Sequence, residues 1–243
     1  MGLALPVLAL VVGVLIGMVG VGGVLLPPGL VAFGGLTANE ATATSTWAFV
    51  FTGVVGTIAY AWRGVVPWGM LLRLSIGVVP AAFVGALVNA TLPASVVLLG
   101  LAALTIFVGV HQLRPGSARV VAAEPGAAAL VAIGAFVGFG SALTGTGGPV
   151  LLVPILLTIG VAPLRAVAVS QAVQLPVVVS GSVGYFQTGL VDVRLGTLLG
   201  ILAAVGTLVG AVVATRIHAE GLRKIVAVAC IAAGLFLIVR AVV

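Results

Sequence analysis

The chain reads as an all-α, polytopic helical membrane protein built from two homologous halves, and three observations carry that reading. Hydrophobic residues make up 62% of the 243 positions and charged ones only 6%, with a mean hydropathy of +1.43. A soluble domain needs about a quarter of its residues charged to cover its surface. Apolar stretches able to span about 30 Å of hydrocarbon recur from end to end. They are apolar on every face, unlike the alternating strands of a membrane β-barrel. Finally, one passage is written twice: GVGGVLLPPGLVAFGGLTANEATATS from Gly20 and GTGGPVLLVPILLTIGVAPLRAVAVS from Gly145. In that register Gly22 meets Gly147, Gly23 meets Gly148, Gly35 meets Gly160 and Ser45 meets Ser170. Further on, Tyr60 meets Tyr185 and Gly85 meets Gly210. A period of about 125 residues is too long for a solenoid and suits two similar halves that meet around one site.

The first half offers four long apolar segments, at roughly 3–19, 40–61, 68–89 and 94–113. The N-terminal MGLALPVLALVV has the apolar core of a signal peptide but no basic region before it, and reads as the first span. A polar linker over 114–126 carries Arg114, Arg119 and Glu124. Four counterparts follow at roughly 127–143, 163–187, 192–215 and 220–242, so the repeats cover about 1–113 and 127–243 of a single membrane domain. Between the first and second long segments of each half lies a shorter stretch, 24–36 and 149–161. Thirteen helical residues rise only about 20 Å, so each reads as a broken or re-entrant half-helix behind a glycine-rich break. If they do not cross, each half has four crossings, the halves are parallel and the basic loop residues divide nearly evenly between the two sides. If both count as crossings, each half has five and the halves are inverted. Arg63, Arg114, Arg119, Arg165, Arg216, Arg223 and Lys224 then share one side, leaving Arg194 and Arg240 on the other. The positive-inside rule prefers that arrangement, with both termini outside.

Composition excludes several function classes. The net charge of +6 comes from few, scattered basic residues between apolar segments, which argues against nucleic-acid binding. The single cysteine, Cys230, rules out an internal disulfide and argues against a thiol relay. His111 and His218 lack metal-ligand spacing, so no metal and no cofactor are assigned. No Ser-His-Asp set or phosphate loop can be assembled, and an enzyme is not expected.

The candidate site lies in the duplicated passage. Gly20, Gly22 and Gly23, with Gly145, Gly147 and Gly148, allow backbone conformations closed to other residues. Beside a half-helix they could present N–H groups and a positive dipole end to an anion. Ser45 and Thr46 follow in the first half; Ser170, Gln171 and Gln174 follow in the second, the two glutamines on one helical face. Thr144 and Thr146 add hydroxyls where the first half has Val19 and Val21, so the second copy is the more polar. Thr42 and Thr44 fit hydroxyls bonded back into the helix. Arg73 fits a side chain snorkelling to the interface, Asp192 an N-cap. Glu40 and Arg165 fit interfacial helix-end charges or gate charges.

The pattern of a G-x-G-G break, a proline, a glycine turn and then A-x-A-x-S resembles the sulfite exporter TauE/SafE family, also called the toluene-sulfonate uptake permeases. Size and duplication are similar over nearly the whole chain. Val24 departs from the pattern where a third glycine is common, and Pro149 fills the equivalent place. The resemblance implies a secondary transporter, an exporter by the family's name, of small sulfur-containing anions such as sulfite or organosulfonates in the bacterial inner membrane. Its expected partners are a small anion and the lipid bilayer, with the proton as candidate coupling ion; the oligomeric state is open. The alternatives are a transporter or channel for another small organic anion and a membrane scaffold without a transported substrate.

Overall fold

The computed structural model describes residues 3–20, 22–113, 125–213 and 219–242. Val21, residues 114–124 of the linker, Arg216 and His218 lie outside the described residues. Within the described residues the chain forms ten α-helices and no strand. The first half comprises α1 (Ala4–Val19), a 3-10 turn (Gly22–Leu25) leading into α2 (Leu26–Gly34), α3 (Ala38–Trp62), α4 (Trp68–Thr91) and α5 (Ala94–Leu113). The second comprises α6 (Ala127–Thr144), α7 (Pro149–Thr158), α8 (Pro163–Thr188), α9 (Val193–Val213) and α10 (Ala219–Val242).

Local signals set the ends. Gly20, Gly35, Gly145 and Gly189 close their helices in the left-handed conformation, with φ of 78°, 69°, 64° and 70°. Prolines open α2, α7 and α8, where the missing N–H costs no intrahelical bond. Thr37 and Glu40 form a reciprocal capping box at the start of α3. Glu40 thus serves as a cap residue, its carboxylate accepting from the Thr37 N–H at 2.9 Å. Asp192 caps α9, accepting from the Leu195 N–H at 2.9 Å.

The short helices retrace their neighbours. A side chain built on Gly22 would meet Leu15 and Val12, one on Gly29 would meet Leu8, and one on Gly34 would approach Leu5. The segment from the 3-10 turn through α2 therefore runs antiparallel along α1, and α3 starts again in the direction of α1.

Close glycine contacts fix the remaining directions. Gly13 packs on Ala203 and Gly17 on Thr207, so α1 and α9 are parallel. Gly77 packs on Val131 and Gly85 on Phe139, so α4 and α6 are parallel. Likewise α3 runs with α9 (Gly196 on Thr44, Gly200 on Ala48) and α8 with α4 (Gly181 near Ala82, Gly184 on Phe83 and Ala86). By contrast α3 and α8 are antiparallel, Gly53 facing Leu175 and Gly56 facing Gln171. So are α5 and α10, with Gly109 on Ala227 and Gly234 on Ala102. Without lipid-excluding water to drive them together, membrane helices associate through such small-residue contacts. The helices α3 and α8 form the centre: 61% and 67% of their apolar windows are buried, against 39–44% for α4, α5, α6 and α9.

Candidate functional site

The two glycine breaks meet at the middle of α3. The first descends from Gly20, beside Gln171, to Gly23, where an added Cβ would lie 3.0 Å from the Thr146 carbonyl and 3.3 Å from Phe49. The second rises from Gly145, against Thr42 and Ser45, to Gly147, where a Cβ would lie 3.2 Å from Phe49 and 3.6 Å from the Gln174 amide. Of α8's two glutamines, one thus serves each break. Gln171 Nε2 donates to the Ile16 carbonyl at 3.1 Å, beside the Gly20 N–H at 2.9 Å. Gln174 Nε2 donates to Thr52 Oγ1 at 2.7 Å and the Phe49 carbonyl at 3.3 Å.

The glycines of both breaks come together here with Ser45, Thr146, Gln171 and Gln174, and the polar side chains at the centre are buried. Ser45, Thr46, Thr146, Ser170, Gln171 and Gln174 are all exposed by 2% or less. Their hydroxyls are used differently. Thr42 and Thr46 bond back to their own helix at 2.7 and 2.8 Å. Thr44 accepts from the Asp192 N–H. Ser45 donates across to the Gly145 carbonyl at 3.1 Å, and Thr144 and Thr146 bond each other at 3.1 Å. Ser170 Oγ, Gln171 Oε1 and Gln174 Oε1 have no partner among the described residues.

The second break separates its acceptors from its donors. Ending α6 inside the membrane frees several carbonyls, and each buried one needs a donor. Gly140 receives the Thr144 hydroxyl, and Ser141 the N–H groups of Gly145 and Thr146. Ala142 receives the Tyr185 hydroxyl at 2.6 Å, Leu143 the Asn89 amide at 2.7 Å, and Gly145 the Ser45 hydroxyl. On the other side of the break Gly147 and Gly148 have φ of 81° and 104°, and Pro149 has no N–H. The N–H groups of Gly147, Gly148 and Val150 have no acceptor among the described residues. The carbonyls of Gly140, Ser141, Ala142, Leu143 and Gly145 are tied off, whereas those three N–H groups have no acceptor among the described residues, at the positive end of α7.

Against this geometry, the family model described as Sulfite exporter TauE/SafE matches residues 4–237. The chain belongs to the TauE/SafE family. That makes it a membrane transporter of sulfite or related anions and not an enzyme. Among the described residues, six helices are long and apolar enough to cross a membrane. No curated protein and no solved structure matches the chain.

In this TauE/SafE protein, residues that composition left unremarked support the break. Asn89 and Asn39 are buried, and Asn39 Nδ2 donates to the Asn89 carbonyl at 2.6 Å and the Leu92 carbonyl at 3.2 Å. An amide in the apolar run of α4 was the available signal, since a polar group in hydrocarbon needs a reason. Tyr185 stood out only as the partner of Tyr60 in the repeat. Arg73 and Arg165 are exposed, away from the breaks. A cavity of about 600 Å³ between α4 and α8, lined by Val79, Pro80, Pro176 and Val183 among others, is almost wholly apolar. It faces outward, with Val79 and Val183 about half exposed, and offers an anion nothing.

Proposed function

We propose that this chain is a secondary transporter that exports small sulfur-containing anions, such as sulfite or organosulfonates, across the bacterial inner membrane by alternating access around the two breaks. The observation that carries the reading is the open donor set of the second break. A buried N–H without a partner costs on the order of a few kcal/mol, and among the described residues three such groups, of Gly147, Gly148 and Val150, stand in succession beside α8. An anionic oxygen satisfies such donors without a permanent cation in hydrocarbon. Gln171 Oε1 and Gln174 Oε1 are acceptors, suited to the hydroxyl of a protonated anion such as hydrogen sulfite, which would carry the coupling proton itself.

The two halves are copies of one unit in inverted orientation, a reading supported by helix pairs that run in opposite directions 125 residues apart. The positive-inside rule then puts the end with Arg63 and Arg165 in the cytoplasm and both termini outside. Rocking of one sequence half against the other is disfavoured by the packing. A Cβ on Gly13 would come within 2.0 Å of the Ala203 carbonyl, and one on Gly77 within 2.0 Å of the Val131 carbonyl. The moving bodies are instead two mixed bundles, α1, α2, α3 and α9 against α4, α6, α7 and α8, hinged along the α3–α8 seam.

Purified protein in liposomes provides the test. Saturable counterflow of sulfite is expected, and Gln171→Ala at equal protein level should lower it. Unsaturable flux would favour a channel, and absence of flux with binding only to a protein partner would favour a scaffold. Unchanged sulfite efflux in Gln171→Ala would count heavily against this site.

A further inference from the structure

The residue that both breaks touch is Phe49, and nothing in the glycine motif points to it. Its ring is fully buried at the middle of α3. One edge, at Cζ and Cε2, lies 3.3 and 3.6 Å from the place of a Cβ on Gly23. Along the same side of the ring, Cδ2 and Cγ lie 3.2 and 3.5 Å from the place of a Cβ on Gly147. Both contacts are tighter than most side-chain contacts, so one side of the ring sits closely against the bare backbone of both breaks. In the repeat register Phe49 is the counterpart of Gln174, and the Gln174 amide donates to the Phe49 carbonyl. One position of the repeat thus contributes an amide from α8 and an aromatic ring from α3, on facing helices.

We infer that Phe49 is the residue that sets the upper size of the transported anion. The inference rests on the proposed site between the breaks. A substrate held by the N–H groups of Gly147 and Gly148 must take up space next to Gly147, and the Phe49 ring already fills one side of it. An inorganic oxyanion needs only a small displacement of the ring. An anion bearing an aryl group needs the volume of the ring itself.

The test is a size series in proteoliposomes with sulfite, methanesulfonate and benzenesulfonate as the probes. Phe49→Ala is expected to raise the ratio of benzenesulfonate to sulfite uptake at least tenfold over wild type. Phe49→Leu should fall between them, and Phe49→Trp should slow even sulfite. Phe49→Leu keeps most of the buried apolar volume and decides the matter if Phe49→Ala does not reach the membrane. A size profile identical to wild type in Phe49→Leu and Phe49→Ala, with wild-type uptake intact, overturns the assignment and leaves the transport reading standing. Wild-type vesicles that take up none of the three anions overturn the transport reading, and the assignment of Phe49 goes with it.

Discussion

The two glycine breaks occupy equivalent places in the repeat, yet they are finished in different ways. At the first, among the described residues, the end of α1 borrows one group: the Ile16 carbonyl accepts the Gly20 N–H and the amide of Gln171. At the second, Thr144, Tyr185, Asn89 and Ser45 reach in from α6, α8, α4 and α3 to close the carbonyls of α6. The second break can therefore leave its N–H side open without a general loss of hydrogen bonding. A backbone interruption in a membrane becomes a binding element when its acceptors are satisfied independently of its donors.

The strongest way to break that comparison is a methyl group at the donor side. Gly147→Ala meets both a left-handed backbone, costing roughly 1–2 kcal/mol, and the ring of Phe49 at 3.2 Å. Sulfite counterflow should fall about a hundredfold or more. Gly35→Ala is the control, since it has φ of 69° and nothing within 4 Å, so counterflow should stay within about twofold. Equal losses in both would reduce the second break to backbone strain.

Next in size is the pair of glutamines. Gln174→Leu removes the contacts to Thr52 and Phe49 beside the second break and should lower counterflow at least tenfold. Gln171→Leu, which serves the first break, should lower it less. The reverse order would move the substrate towards Gly20.

Asn89→Leu leaves the Leu143 carbonyl without its donor, a cost of about 1–3 kcal/mol. It should appear as a lower melting temperature in detergent and a severalfold loss of counterflow. A stable, fully active variant would mean that the carbonyl side needs no such closure.

The smallest effect belongs to the cap of α3. Thr37→Ala removes a capping box at about 1 kcal/mol and should lower the melting temperature while transport per folded molecule stays unchanged. Glu40→Gln should behave the same way. Loss of transport in Glu40→Gln at equal stability would restore a gating role to that carboxylate.

Much of this was legible along the chain because it depends on neighbours in sequence. The breaks, the prolines that open α2, α7 and α8, and the N-cap of Asp192 are all local. So was the spacing of Thr37 and Glu40, although a charge at a helix end invites a reading as a gate before a reading as a cap. The supports of the second break were not legible. Asn89, Tyr185 and Ser45 sit about 40 to 100 residues from the carbonyls they bond. Nothing in a sequence says which helix will stand beside which. The same holds for Phe49, which reads as one more apolar residue until two glycines from different halves are found against its ring.

The sequence by itself determined that the chain is a helical membrane protein, where its helices stop, and that the second copy of the passage is the more polar. These follow from hydropathy, propensity and the special backbone of glycine and proline, all properties of short segments. Only the tertiary structure decided that α2 runs back along α1 and that α1 packs on α9 and α4 on α6. It alone gave the carbonyls of Ala142, Leu143 and Gly145 their donors from other helices while leaving the N–H groups of Gly147, Gly148 and Val150 without an acceptor among the described residues. The reason is physical: in hydrocarbon every backbone group must find a partner within the protein, and which groups are left over depends on packing between helices far apart in the chain.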